Sequence, residues 1–242
     1  MFDYNDSKKI VENILTSTTK ITSKTQIPVS DNEFTYENGI KVWVGALFVD
    51  IVDSSKLFDY ANEDTARIIR SFCSEIICIL KDDLNYHEIG IRGDCVYAIY
   101  NTETQGDLVK VFQHAYRINT FMIMLNKLLK KHGYKPIRAG IGLGCDEELV
   151  IKAGKSGSGI NDKIWIGRAL VEASQLSETA NRYGVEEIAM SNLFYSNVID
   201  ILNKQDSNYI YWIKPYKVNY TTKFYHCSII ETSYKKWIDE NI

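Results

Sequence analysis

The chain predicts an α/β (α+β) fold: a ferredoxin-like core whose largely antiparallel sheet carries helices on one face, followed by an aromatic C-terminal extension. Three observations predict it. KVWVGALFVDIVDSS, residues 41–55, is a long Val-rich apolar run that ends on Asp50 and breaks into Asp53, Ser54 and Ser55, the pattern of a buried central strand feeding a helix N-terminus. Two long segments repeat apolar residues at helical spacing, and short strand pairs lie between and after them. The order strand, helix, hairpin, helix, hairpin, helix is that of a layered structure.

Residues 1–40 hold one amphipathic helix, with Ile10, Val11, Ile14 and Leu15 on one face, and then the Thr/Ser-rich stretch TSTTKITSKTQ, which reads as a polar tether. This is an N-terminal extension to a main domain at 41–200. After the strand that ends at Asp50, a helix over about 63–81 repeats Ala66, Ile69, Cys73, Ile76, Ile77 and Leu80. HEIGIRGDCVYAIY, 87–100, reads as a hairpin with a tight turn at Gly93 and Asp94. A second helix, about 105–131, carries Leu108, Val111, Phe112, Ala115, Ile118, Met122 and Leu125 on one stripe. IRAGIGLGC (137–145) and EELVIKAG (147–154) read as another pair of strands, GKSGSGIND as a glycine-rich loop, and the later part of IWIGRALVEASQLSETA as a helix. The segment 201–242 is unusually aromatic. It reads as two further strands and a terminal helix that pack on the core or on a dimer partner.

With 242 residues, 45% of them hydrophobic, the chain can bury a full core. Its 28 basic and 31 acidic residues, net charge −3, leave no broad basic footprint, so no nucleic-acid partner is expected. No stretch approaches the ~20 apolar residues of a membrane span, and the N-terminus has no secretory pattern, so the expected location is cytoplasmic. The five cysteines lack CxxC spacing and suggest neither a disulfide framework nor a zinc site.

Asp50 at the end of one strand and Asp94 at the tip of the next hairpin stand side by side if those strands are neighbours. Two adjacent carboxylates repel unless a cation lies between them, which calls for one or two hard divalent ions, magnesium or manganese. The plainer alternative is that Asp50 only ends the strand and that Asp53 or Ser54 caps the helix.

FVDIVDSS resembles the first metal motif of the class III nucleotide cyclases, and IRGDCVYAIY resembles their metal-bearing hairpin. IRAGIGLG is similar to the family's R-x-G-I strand, IKAGKSG to its V-x-A-G-x-x-G, and IWIGRALVEAS to its tryptophan-glycine-helix signature; the five matches run in order from 44 to 180. The resemblance implies attack of a ribose 3′-hydroxyl on the α-phosphorus of a nucleoside triphosphate, with loss of pyrophosphate. It implies Asp50, Ile51 and Asp94 as contacts for two Mn2+ or Mg2+ ions per site, with one ion lowering the pKa of the attacking hydroxyl and the other neutralising the triphosphate. Val52, Asp53, Ser54 and Ser55 would cradle phosphates through backbone N–H groups, and Arg138 would hold the triphosphate. It also implies a homodimer with two sites at its interface.

The chain departs from the family at several positions. Gly90 stands where adenylate cyclases carry a base-reading lysine, and Lys163, beside Asp162, stands where they carry an aspartate. An unsatisfied base edge costs roughly 1–3 kcal/mol, so purine selectivity should be poor, while an ammonium donor suits the carbonyl oxygens of uracil. In this the chain looks most like the pyrimidine cyclases of Pycsar anti-phage defence, whose cyclic UMP or cyclic CMP activates a separate effector protein; UTP is the favoured substrate and CTP the next. The family's ribose-orienting asparagine falls on Val171 and its transition-state arginine on Gln175, and Arg168, on the same helix face, would supply the missing cation. Asp53 replaces a glycine and brings a carboxylate near the phosphates, offset by a metal, Lys56 or its own capping role. Two alternatives remain open: an adenylate cyclase making cyclic AMP, and a silent nucleotide-binding regulatory dimer.

Overall fold

The computed structural model describes residues 2–59, 61–82, 85–155 and 157–242. In chain order its elements are α1 (Tyr4–Thr16), β1 (Lys20–Ser23), β2 (Asn38–Ile51), α2 (Ser54–Phe58), α3 (Glu63–Leu80), β3 (Tyr86–Arg92), β4 (Cys95–Asn101), α4 (Gln105–Lys131) and β5 (Ala139–Gly154). They continue with β6 (Asn161–Ile166), α5 (Ala169–Thr179), β7 (Ile188–Met190), α6 (Asn192–Gln205), α7 (Tyr209–Trp212), β8 (Lys214–Val218), β9 (Thr221–Cys227) and α8 (Thr232–Asn241).

The chain divides into two compact units, residues 1–42 with 148–166 and residues 43–147 with 167–242. The sequence predicts an extension at 1–40, a main domain at 41–200 and a second extension at 201–242. Strand pairing holds each compact unit together in a way that composition does not reveal. In the first unit the supposed tether supplies β1, which runs parallel to Asn38–Lys41, and all four β1 residues are exposed, so no alternation marks the strand. Ile27, Phe34, Ile40, Val42 and Val150 are the buried hydrophobic residues among those described in this unit. Helix α1 forms on the expected stretch, capped by Asp3, but buries no residue. The glycine-rich loop is shorter than expected: residues 161–162 already belong to β6, which pairs antiparallel with Leu149–Gly154. Ser156 of that loop lies outside the described residues.

In the second unit the strands follow the order β3-β4-β2-β5-β7-β9-β8. The first four, with α3 and α4 between them, reproduce the ferredoxin-like arrangement; β2 with β4, β3 with β4, β7 with β9 and β8 with β9 pair antiparallel, and β5 with β7 pairs parallel. Helix α4 starts where it does because Thr104 and Asp107 form a reciprocal capping box. Its apolar stripe meets α3 and α6 in one buried cluster with Leu47, Val49, Ile51, Val96, Ala98, Ile141, Leu143 and Cys145. On the other face of β5, Gly140, Gly142 and Gly144 let α5 approach so closely that a Cβ at Gly142 would stand 1.9 Å from the Ala173 carbonyl oxygen.

The two strands expected at 137–145 and 147–154 are one sixteen-residue strand, β5. Asp146 and Glu147 are no turn; they fall between the residues paired with β7 and those paired with β6. Strand β7 and helix α6 were not anticipated, although Ser191 caps α6 and Phe194, Val198 and Leu202 recur on its buried side. The C-terminal strands and helix belong to this second unit: β9 pairs with β7, and Cys227 and Ile238 are fully buried. No helix among the described residues is long and apolar enough to cross a membrane.

Candidate active site

Strand β2 is paired with β4 up to Val49 opposite Val96, so the next residue, Asp50, emerges beside Cys95 and the hairpin turn. Gly93 takes that turn in a left-handed conformation, φ 62°, and Asp94 follows it. The structure thus brings Asp50 and Asp94 together. Burial and the neighbouring Asp94 charge raise the Asp50 carboxyl from its ordinary 3.8 to about 6, with Arg182 pulling the other way and Glu178 adding to the rise. The same field reaches Cys95, whose thiol is pushed up to about 12 by burial first and by Asp50 next.

One carboxylate oxygen of Asp94, Oδ2, is buried without a hydrogen-bond partner. An orphaned, solvent-shielded carboxylate oxygen is costly unless a cation meets it. Among the described residues no group of three or more His, Cys, Asp or Glu side chains is placed to cage a metal. Two carboxylates with a nearby backbone carbonyl, all hard oxygen donors, instead fit magnesium or manganese, which bind through one or two carboxylates and fill their shells with water and substrate phosphate. Ile51, expected as a metal contact, has a buried side chain, and its carbonyl oxygen accepts from Arg182 Nη2 at 3.3 Å.

The strand-to-helix turn differs in part from expectation. The Val52 amide donates to the Arg138 carbonyl at 2.9 Å, which removes it from the expected phosphate cradle. Asp53 is left-handed, φ 59°, which explains why glycine suits this position and why aspartate is tolerated. Its side chain makes no capping bond and pairs instead with Lys56 at 3.2 Å, so the compensating charge is Lys56 and not a cap. Ser54 and Ser55 open the short helix α2. Arg138 is exposed, and its Nη1 donates to the Asn181 carbonyl at 3.1 Å.

Gly90 faces Tyr97 across the hairpin. A Cβ there would stand 2.5 Å from the phenol, whose ring stacks on Phe48 at 5.3 Å and whose hydroxyl donates to Glu88 at 2.6 Å. Burial and that bond push the Tyr97 hydroxyl up to about 12, so it stays a donor at neutral pH.

Lys163 belongs to the other unit. There it pairs with Asp31 at 3.2 Å, lies 5.8 Å over the Phe34 ring, and keeps only 21% of its side chain exposed. Arg168 precedes α5, is largely exposed and pairs with Glu172 at 2.7 Å. It lines a cavity of about 460 Å³ with Gln175, Asp146 and Lys223, a cavity that Val171 does not line.

Sequence reasoning missed Arg182, Tyr97 and Lys223. Arg182 Nη2 bonds Asp50 Oδ2 at 2.7 Å across 132 residues of chain, and nothing in the local pattern of NRYG signals that contact. Tyr97 is legible as the cross-strand partner of Gly90, because a turn at Gly93 and Asp94 sets residue 90 opposite residue 97.

A scan against protein-family models finds no match. The chain is 39% identical over 243 residues to a uridylate cyclase of Treponema porcinum, covering all of this chain and 82% of the relative. It is 30% identical over 219 residues to a uridylate cyclase of Gulbenkiania mobilis, covering 87% of this chain and 84% of the relative. Among solved structures, the adenylyl cyclase CyaB from P. aeruginosa superposes with a TM-score of 0.61 at 20% identity, over 78% of this chain and 95% of that one. A guanylyl cyclase superposes with a TM-score of 0.62 at 13% identity, over 81% and 96%, a likeness of fold alone.

Proposed function

The chain belongs to the uridylate cyclases, nucleotide cyclases with the class III fold, and from that premise we propose that it converts UTP, with CTP the next substrate, to the 3′,5′-cyclic monophosphate and pyrophosphate. The observation that carries the mechanism is the close pair Asp50 and Asp94, with Asp50 raised to about 6 and one Asp94 oxygen buried and unpartnered. In the reaction the ribose 3′-oxygen forms a bond to the α-phosphorus, the bond from that phosphorus to the bridging oxygen breaks so that this oxygen leaves with pyrophosphate, and the hydroxyl proton passes to solvent water. Asp50, Asp94 and the Ile51 carbonyl would hold a divalent cation, which would lower the pKa of the attacking hydroxyl and screen the phosphates.

This chain's own residues bind and orient. The N–H groups of Asp53, Ser54 and Ser55 at the strand-to-helix turn face the phosphates, and Arg138, tethered to Asn181, offers its guanidinium to the triphosphate. Arg168, beside Gln175, supplies positive charge as it builds up on the leaving phosphates. The arginine side of its ion pair with Glu172 is largely exposed, so the pair is weak enough to exchange for a phosphate. Lys163 reads a base carbonyl, and the space over Gly90 is closed by Tyr97, which leaves no room there for the lysine of purine-reading sites. The working form is a homodimer in which carboxylates of one protomer and Arg168 of the other complete each of two sites. Its product is a second messenger of anti-phage defence that acts on a separate effector.

Incubating the purified protein with Mn2+ and each of the four ribonucleoside triphosphates, and separating products by chromatography and mass spectrometry, tests this. Cyclic UMP should dominate. Cyclic AMP as the main product overturns the pyrimidine assignment. No cyclic product from any triphosphate, where Asp50→Asn measurably weakens metal binding, points to a silent nucleotide-binding dimer.

A further inference from the structure

The turn that follows α5 is built to aim one side chain. Asn181 and Tyr183 are both left-handed, φ 57° and 51°, on either side of Arg182. The turn is closed by bonds from Asn181 N–H to the Glu186 carbonyl, from Val185 N–H to the Arg182 carbonyl, and from Asn181 Nδ2 to the Ala139 carbonyl. Two non-glycine residues held in this sparsely populated region persist only where surrounding bonds over-determine them. What they deliver is an arginine side chain that is only 16% exposed. Its Nη1 donates to the carbonyls of Ser177 and Ala180, at 3.0 and 3.1 Å, at the end of α5. Its Nη2 donates to Asp50 Oδ2 at 2.7 Å and to the Ile51 carbonyl at 3.3 Å.

Those last two oxygens are the β2 atoms that the proposed function gives to a divalent cation. An ion coordinated at ~2.0–2.1 Å uses the lone pairs that a guanidinium N–H would otherwise fill. We propose that Arg182 is a resident countercation of the Asp50–Asp94 site, and that a divalent ion binds by displacing its Nη2 from Asp50 and Ile51. The Nη1 bonds to α5 keep the arginine nearby, so it returns when the ion leaves. Free ions therefore bind weakly, and loading falls to the metal–nucleotide complex, whose phosphates supply the remaining ligands. This inference rests on Asp50 and Asp94 being the cation ligands.

The test titrates Mn2+ alone, without nucleotide, into the wild type, Arg182→Gln and Arg182→Lys, reading free Mn2+ by electron paramagnetic resonance. Arg182→Gln should bind Mn2+ about tenfold more tightly, the size expected from removing one charge-assisted bond, while Arg182→Lys should stay within about threefold of wild type. Equal or weaker binding by a natively melting Arg182→Gln overturns the proposal. If that variant fails to fold, wild type labelled with 15N at its arginine side chains decides: Mg2+ should shift the Arg182 guanidinium resonances, and unchanged resonances at saturating Mg2+ overturn it. Asp94→Asn separates the two levels. If it leaves wild-type Mn2+ affinity intact, the cation site itself fails and the displacement with it; if it weakens binding while Arg182→Gln does not tighten it, only the displacement fails.

Discussion

Tyr97 occupies the space in which a side chain at Gly90 would lie, its phenol carbon and oxygen 2.5 Å from the Cβ position of residue 90. Gly90→Ala should therefore destabilise the chain by about 1–3 kcal/mol, since the ring is pinned by Phe48 and Glu88 and yields poorly. In a Tyr97→Leu background the same change should cost at least about 1 kcal/mol less. Urea denaturation of the four proteins of this cycle measures the difference; a strictly additive cycle would refute the packing.

Asp94→Asn should stabilise the metal-free protein at neutral pH while abolishing stabilisation by metal. Asp50 keeps its proton to about pH 6 when folded, against 3.8 ordinarily, so the folded chain binds more protons in that window and stability falls as pH rises through it. Removing the Asp94 charge removes part of that loss. The variant should exceed wild type by about 1 kcal/mol above pH 6 in EDTA, with the gap closing below about pH 4. Added Mn2+ should raise the wild-type melting temperature and leave the variant unmoved. Thermal melts in EDTA and in Mn2+ at pH 4, 5 and 7.5 check each sign.

Gly142→Ala should be among the more damaging substitutions in the chain. Its Cβ would stand 1.9 Å from the Ala173 oxygen and 2.4 Å from the Ser177 nitrogen, both backbone atoms of α5, so the helix must move as a body. A cost of about 3 kcal/mol, or roughly 6–12 °C in melting temperature, is expected. Gly106→Ala, whose nearest neighbour would be Thr104 Oγ1 at 3.5 Å, should be neutral or stabilising in the same melts.

Arg138→Gln should leave folding within about 0.5 kcal/mol of wild type, because the side chain is exposed and, among the described residues, bonds to Asn181 alone. Its effect should fall on the triphosphate. A drop of about 10–100-fold in kcat/KM, the size of a lost charged hydrogen bond, is the expected result of steady-state kinetics. Unchanged kcat/KM would remove Arg138 from the site.

Elements with a strong local signature were legible in the sequence. The α4 stripe from Leu108 to Leu125, closed by Lys130 and Lys131, locates that helix, and Gly93 with Asp94 between two β-rich runs locates the hairpin tip. Once Asp50 ends one strand and Asp94 begins its neighbour, their meeting follows from sheet adjacency. Elements defined by partners and not by their own pattern were not legible. Strand β1 buries nothing, β7 has three residues, and β5 passes through Asp146 and Glu147 without turning because its hydrogen-bonding partner changes there. Arg182 belongs to this second kind: its significance lies wholly in where a distant turn delivers it.

The first unit draws on two stretches of sequence, 1–42 and 148–166, with Leu149 laid over Gly39. Trimming the opening forty residues to obtain a minimal catalytic fragment would accordingly not shorten a tail. It would bare Leu149 and Ile151, which face Gly39, and fragments cut at that boundary should clump or be digested unless the later stretch is excised as well.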